Sequence, residues 1–297
     1  MISIAMATYN GEKYIKEQID SILNQTIQDF ELVICDDCSS DGTIDILKEY
    51  SKRDERITAY ENEKQLGFLK NFEKAVSLCK GEYIALSDQD DIWMPDHLEL
   101  LHKAIKGKSL SCGNALLVDS NALSMGMTYW EQVAFESIPS SNLGKAMSIL
   151  LFRNPFQGAA MMINRDLLKY ALPIPEFVYF HDTWFAALAC FCDGIACVKT
   201  PILKYRRVNE SVTGSRKDKI PRYTQYRRHL IPNQKLKTIK AISERLQAVT
   251  TTKEKRFLKK MEKICIRNNT RKGKWLNFVY TTLHYRTIYN SSLTSWK

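Results

Sequence analysis

The chain has 297 residues, 44% of them hydrophobic and 26% charged, and carries a formal net charge of +10. That length buries a full core in one α/β domain with an appendage. No run of about eighteen apolar residues occurs, so no membrane-spanning helix is expected, and the lack of repeats or low-complexity tracts excludes solenoid and fibrous chains. Met1 leads almost directly into a first strand, Ile2 to Ala7, so no signal peptide is expected. The strand runs into Thr8-Tyr9-Asn10-Gly11-Glu12, polar and aromatic groups suited to cradling a base and ribose. A second apolar, β-branched run, Phe30 to Cys35, ends in Asp36-Asp37-Cys38-Ser39-Ser40-Asp41-Gly42-Thr43, the order of strand, acidic loop and helix.

Gly67 to Val76 reads as a helix entered through glycine, with Phe72, Ala75, Val76 and Cys79 as its core face. Lys70 and Asn71, near its start, are candidate diphosphate or ribose contacts. A third strand, Tyr83 to Leu86, delivers Ser87-Asp88-Gln89-Asp90-Asp91-Ile92-Trp93. Three carboxylates in four positions repel one another and have no packing use. With Ser87 and Gln89 as neutral oxygen donors, the turn suits Mg²⁺ or Mn²⁺ carrying a phosphate-bearing ligand, whereas the plain alternative is a solvated acidic loop. In open α/β sheets ligands sit beyond the carboxyl ends of the strands, so Asp36, Asp37, Asp88, Asp90 and Asp91 are expected along one rim.

Phosphate binding by backbone alone is disfavoured. There is no G-x-G-x-x-G, and Gly107-Lys108-Ser109 lacks the earlier glycine of a P-loop because position 102 is His102. Further on, Asn154 to Ile163 reads as a turn entering a buried strand, with Gly158 allowing close backbone approach beside Gln157. A helix from Arg165 to Tyr170 is closed by Pro173 and Pro175. Phe180-His181-Asp182-Thr183-Trp184 then opens an apolar helix, where Asp182 by itself suits an N-cap. Eight scattered cysteines, with no second pair beside Cys35-x-x-Cys38 or Cys190-x-Cys192, are expected as small buried apolar residues in a reducing cytosol.

The last segment is a separate electrostatic object. From Arg216 to Lys297 there are 22 Lys and Arg against 4 Asp and Glu, a balance of +18, against −8 for residues 1–215. Lys235 to Val249 and Lys253 to Arg267 read as basic helices, with Leu236, Ile239, Ile242 and Leu246 at helical spacing. Trp275 to Tyr280 and Leu283 to Tyr289 mix aromatic and aliphatic groups with polar and basic ones. Two readings suit this tail: contact with an anionic membrane surface, or an apolar stripe packed on the preceding domain. No recognised motif supports nucleic acid.

Taken together, Thr8-Tyr9-Asn10, Ser21-Ile22-Leu23-Asn24-Gln25-Thr26, Asp36-Asp37-Cys38-Ser39-Ser40-Asp41-Gly42-Thr43 and Ser87-Asp88-Gln89-Asp90-Asp91-Ile92-Trp93-Met94-Pro95 resemble the family 2 inverting glycosyltransferases of GT-A fold. The resemblance covers residues 1–215, and the acidic turn looks most like the rhamnosyltransferase-like branch. It implies a nucleotide-binding mixed α/β sheet flanked by helices, followed by a basic helical extension at 216–297.

The implied ligand is a nucleotide-sugar donor. Thr8, Tyr9, Asn10, Glu12, Asp37, Lys70 and Asp88 are its candidate contacts, Asp37 toward the base, with Asp88 and Asp90 at the ribose and the Mg²⁺- or Mn²⁺-bound diphosphate. Asp182 becomes the general base, with Gln157, Gly158, His181 and Trp184 as acceptor contacts or supports. Many relatives carry Tyr-Arg-x-His where this chain has Tyr205-Arg206-Arg207-Val208, so Arg206 or Arg207 is the candidate replacement on the diphosphate. The expected acceptor is a lipid-linked surface glycan at the cytoplasmic face of the membrane. The alternatives are a nucleotidyltransferase, which lacks support in a glycine-rich basic loop, and a non-catalytic nucleotide-sugar-binding membrane scaffold.

Overall fold

Short aliphatic runs separated by polar turns become the strands of one mixed sheet, and the amphipathic segments between them become its covering helices. The computed structural model describes residues 1–133, 135, 141–147, 149–150, 154–207 and 232–267. In chain order these give β1 (Ile2–Thr8), α1 (Ile15–Leu23), β2 (Phe30–Asp36), α2 (Thr43–Arg53), β3 (Ile57–Glu61), α3 (Phe68–Leu78), β4 (Tyr83–Ser87), β5 (Ile92–Trp93) and α4 (His97–Ala104). Then follow β6 (Leu110–Val118), β7 (Ser124–Thr128), α5 (Tyr129–Gln132), α6 (Asn142–Met147), β8 (Met161–Asn164), α7 (Leu168–Ala171), α8 (His181–Ala189) and β9 (Ile195–Arg206). Two further helices, Pro232–Arg245 and Thr252–Arg267, close the described chain.

The sheet order is β3-β2-β1-β4-β8-β6-β9-β5, with β7 paired to β6. Its first half, β3-β2-β1-β4, is parallel, and there the register sets Thr8 opposite Asp36 and Met6 opposite Ser87. Three carboxyl ends therefore reach one rim. Strands β1, β2 and β4 read as continuous apolar runs because both faces are covered. Ile15, Ile19 and Ile22 seal α1 on the sheet, and Phe72, Ala75 and Val76 seal α3. Gly67 is the N-cap of α3 at φ +82°, a left-handed geometry that a side chain would strain. The helix expected from Arg165 begins as a 3₁₀ turn, Arg165–Leu167, before α7.

The helical pair is not a free appendage. Ile239, Ile242, Leu246, Leu258, Met261, Ile264 and Cys265 belong to the same buried cluster as the strands. Arg245 fastens the pair by donating to the carbonyls of Tyr170 at 2.8 Å and Pro173 at 2.7 Å. Of the readings for the basic segment, packing of an apolar stripe on the domain is what residues 232–267 do. The Val208 to Gly214 loop, Trp275 to Tyr280 and Leu283 to Tyr289 lie outside the described residues. Among the described residues, no helix is long and apolar enough to cross a membrane.

Candidate functional site

Asp88, Asp90 and Asp91 stand just beyond the end of β4, and α8 brings Asp182 to the same place. The electrostatics report that convergence. Burial lifts the Asp88 carboxyl to about 7, and the charges of Asp90 and Asp182 add to the effect. Burial also raises Asp90, while its own backbone N–H and the Arg206 charge oppose the rise. Asp91, fully buried, is raised by burial and then by Asp90 and Asp88. Asp182 is lifted to about 6 by burial, against hydrogen bonds from Thr183, the Asn154 side chain and the Gly158 N–H. Carboxylates held together in a desolvated site are the usual mark of a functional centre.

Asp182 is not the N-cap that its position allowed. Phe180 occupies that place, and Asp182 lies inside the first turn of α8, accepting bonds from the Thr183 backbone and hydroxyl. Gly158 is required beside it, because a Cβ there would stand 2.7 Å from His181 Nε2. His181 stacks on Phe72 at 4.0 Å between ring centroids, and burial pushes its imidazole down to about 3, so the ring is neutral. Both its nitrogens, and both amide atoms of Gln157, are buried with no hydrogen-bond partner among the described residues. Trp184, by contrast, is a core residue: fully buried, it donates Nε1–H to the Ala171 carbonyl at 2.9 Å and lies under the Arg245 guanidinium. Of the two roles expected of Trp184, contact with an acceptor or support, its burial leaves only support.

The part of the rim where the donor contacts are expected is built mostly of mutual support. Thr8 is buried and donates to Asp36 Oδ2 at 2.7 Å, so its hydroxyl faces the loop rather than a ligand. Asp37 is buried too, and accepts from Asn62 Nδ2 at 2.9 Å, Leu66 N at 2.6 Å and Gly67 N at 2.8 Å. Its observed work is to pin the entry of α3 to the end of β2, which leaves one lone-pair direction of the carboxylate. Glu12 accepts from Gly42 N at 2.9 Å. Lys70 is committed to Glu73 and the Ile174 carbonyl, and Asn71 donates to the Cys35 carbonyl at 2.8 Å, so neither is turned to a diphosphate. Tyr9 and Asn10 remain exposed at the rim, Asn10 at φ +49° with its side chain accepting from Ser40 N.

Neither neutral donor of the acidic turn is available to a cation. Ser87 is buried and accepts from Gln18 Nε2 at 2.8 Å. Gln89 instead clamps the Tyr9 backbone, accepting from its N–H at 2.9 Å and donating to its carbonyl at 3.0 Å. Arg206 is likewise not a diphosphate contact. Its guanidinium donates to the carbonyls of Asp90 at 2.8 Å and Ser120 at 3.0 Å, pairs with Glu17 and covers the Tyr14 ring, while its backbone N–H holds Asp91 Oδ1. Arg207 reaches Gln132. The clamp by Gln89, the Asn154 bond to Asp182 and the Arg206 tie had no signature in the sequence, since each joins segments far apart along the chain.

Asp88 and Asp90 fit a divalent ion by their chemistry. The Asp88 carboxylate accepts no hydrogen bond among the described residues and is raised by burial and, after it, by the like charges of Asp90 and Asp182, which a cation would relieve. No three His, Cys, Asp or Glu side chains enclose an ion among the described residues. Mg²⁺-type ions are held by as few as one or two carboxylates, with phosphate and water oxygens filling the remaining positions.

Residues 3–169 match the family model described as Glycosyl transferase family 2. The UDP-Glc:alpha-D-GlcNAc-diphosphoundecaprenol beta-1,3-glucosyltransferase WfgD of Escherichia coli is 35% identical over 125 residues, covering 41% of this chain and 49% of the relative. Three further curated glycosyltransferase relatives are 45%, 40% and 30% identical, and the chain spans only 35%, 39% and 60% of their respective lengths. Among solved structures, S. aureus TarS 1–349 in complex with UDP-GlcNAc superposes with a TM-score of 0.62 at 18% identity, over 88% of this chain and 70% of that one. The mannosyltransferase PcManGT of Pyrobaculum calidifontis, in complex with GDP-Man and Mn²⁺, gives 0.56 at 13% identity over 97% and 86%. At such identities these two structures establish the shared GT-A-like fold.

Proposed function

The chain belongs to glycosyl transferase family 2, and from that premise we propose that it transfers a sugar from a nucleotide-sugar donor to a hydroxyl of a glycan acceptor, with inversion at the anomeric carbon. The observation that carries this reading is the convergence of Asp182 with Asp88 and Asp90 in one desolvated cluster at the parallel strand ends. Asp182 is the base. Ionised, it takes the proton of the attacking hydroxyl, and burial keeps it more basic than an exposed aspartate. The Asn154 amide and the Gly158 and Thr183 N–H groups hold its carboxylate in place.

Asp88 and Asp90 would hold Mg²⁺ or Mn²⁺, which when bound supplies the positive charge that the departing nucleoside diphosphate needs. The Mn²⁺ in one structural neighbour supports that assignment. Tyr9, Asn10 and the remaining acceptor direction of Asp37 form the nucleotide end. With one carboxylate serving the acceptor and the acidic turn serving the leaving group, attack comes from the opposite face and inverts the centre. Gln157 and His181 lie on the acceptor side.

The acceptor is a lipid-linked glycan, a reading supported by the name of the Escherichia coli relative, and the donor sugar is a hexose or, as in the rhamnosyltransferase-like branch, a deoxyhexose. The family match at residues 3–169 supports a transferase domain within residues 1–215, with the helices of 232–267 packed onto it. The basic excess of residues 216–297, 22 against 4, favours a peripheral place on the anionic cytoplasmic face of the membrane.

Thermal-shift and calorimetric titration with UDP-, GDP- and dTDP-sugars, with and without Mn²⁺, tests the donor site. One donor should stabilise the protein in a Mn²⁺-dependent way, and Asp90→Ala should abolish that effect. Asp182→Asn should lower turnover by about 10³-fold while leaving donor affinity within about twofold. A protein that binds no nucleotide sugar, or an Asp182→Asn variant with unimpaired turnover, would sink the reading.

A further inference from the structure

We propose that Phe68, Tyr179 and Phe180 form the acceptor-sugar platform, on which one pyranose ring lies flat while its hydroxyl meets Asp182; this rests on the transferase reading above. Tyr179 is 65% exposed, Phe180 37% and Phe68 36%. Singly exposed aromatics need no explanation, but two of these directly precede the His181–Asp182 pair in the chain and the third lies beside His181. Tyr179 and Phe180 immediately precede His181 and Asp182, and Phe180 is the N-cap of α8. Phe68 reaches the same spot from α3, its ring centroid 5.3 Å from that of His181.

The rim stands on a fixed base. Phe68 meets Phe72 edge-on at 5.1 Å, Phe72 stacks on His181 at 4.0 Å, and Phe185 closes the group at 6.2 Å. That packing holds Phe68 in place, so its ring is ordered at little entropic cost on binding.

A sugar fits this surface better than other apolar partners do. A pyranose presents C–H groups on its faces and hydroxyls on its edge, which matches an aromatic rim beside a carboxylate. A phospholipid headgroup would instead bring negative charge against Asp88, Asp90, Asp91 and Asp182. The geometry of general base catalysis also demands an acceptor here, since the reacting hydroxyl must come within hydrogen-bond reach of Asp182.

The test uses the full chain and saturation-transfer NMR with the methyl glycosides of glucose, galactose, mannose, rhamnose and N-acetylglucosamine. At least one should bind, and the double variant Tyr179→Ala/Phe180→Ala should weaken it about tenfold, whereas Tyr179→Phe/Phe180→Tyr, which keeps both rings, should hold it within about twofold. Donor stabilisation by nucleotide sugars, measured in parallel, should be the same in both variants and the wild type. Glycoside binding that is absent from the wild type, or indifferent to the alanine substitutions while donor binding persists, overturns the platform alone. Absence of donor binding in the wild type overturns the transferase reading as well. If the alanine variant loses only co-sedimentation with phosphatidylglycerol–phosphatidylethanolamine vesicles, the rim is a lipid contact and the proposal fails.

Discussion

In the reading proposed above, Asp182 serves as the base because of what surrounds it, and its titration tests this most directly. Burial holds its carboxyl at about 6 in the folded chain, above the value of roughly 3.9 for an unfolded aspartate. Turnover per substrate encounter should therefore fall below about pH 6 and level off above it, a limb that a pH–rate profile of kcat/KM resolves. The same elevation has a stability consequence of fixed sign. A folded carboxyl that binds its proton more tightly than the unfolded one stabilises the protein fully below the unfolded value, and that contribution is lost as pH rises through about 6. Asp182→Asn, which carries no charge, should be more stable than the wild type at pH 8 by roughly 2 kcal/mol and equal to it near pH 4. Calorimetric unfolding at the two pH values checks this, and a variant less stable at pH 8 would contradict it. That Asp182 was an acid at the head of an apolar helix was legible in the residues. Its hydrogen bonds from Asn154 and Gly158 were not, because they arise only when the segment before β8 folds against α8.

At the scale of elements, the acidic turn depends on the last strand. Arg206, at the end of β9 and only 4% exposed, joins the Asp90 carbonyl, Asp91, Ser120 and Glu17, and so fastens the turn to α1 and to the loop after β6. Arg206→Met should cost about 2 kcal/mol of stability through the stranded carbonyls. It should also weaken Mn²⁺-dependent donor binding while leaving the pH at which Asp182 titrates in the rate profile near its original value. Lysine at this position reaches one carbonyl but cannot fork, and should recover only part of the affinity. Titration calorimetry with Mn²⁺ and donor measures both variants, and unchanged donor affinity in Arg206→Met would remove the role. The strands themselves were readable from their apolar runs and polar ends. The tie was not, since Asp90 and Arg206 lie in different halves of the sheet's chain order and meet only through the β5–β9 pairing, Ile92 opposite Lys204.

Across the whole molecule, the helices Pro232–Arg245 and Thr252–Arg267 share one core with the sheet. Ile242 is fully buried there, so Ile242→Asp sets a carboxylate where no partner waits and should cost about 3–4 kcal/mol. Because the core is shared, the loss should lower a single cooperative transition. Differential scanning calorimetry that instead resolved an unchanged main transition and a separate, earlier one would show the pair to be an independent unit.

Local order fixes what a sequence can state: which runs are apolar on both faces, which turns are crowded with carboxylates, and which helices are amphipathic. From these come the mixed α/β class, the strand-end rim and the basic helical pair, since side-chain burial follows backbone periodicity. Packing decided the rest. It turned Thr8, Asp37, Lys70 and Trp184 inward or onto neighbours, spent Ser87, Gln89 and Arg206 on holding loops, and drew Asp182 across to Asp88. Hydrogen-bond partners and desolvation depend on distances between segments remote in the chain, and those exist only once the sheet has closed.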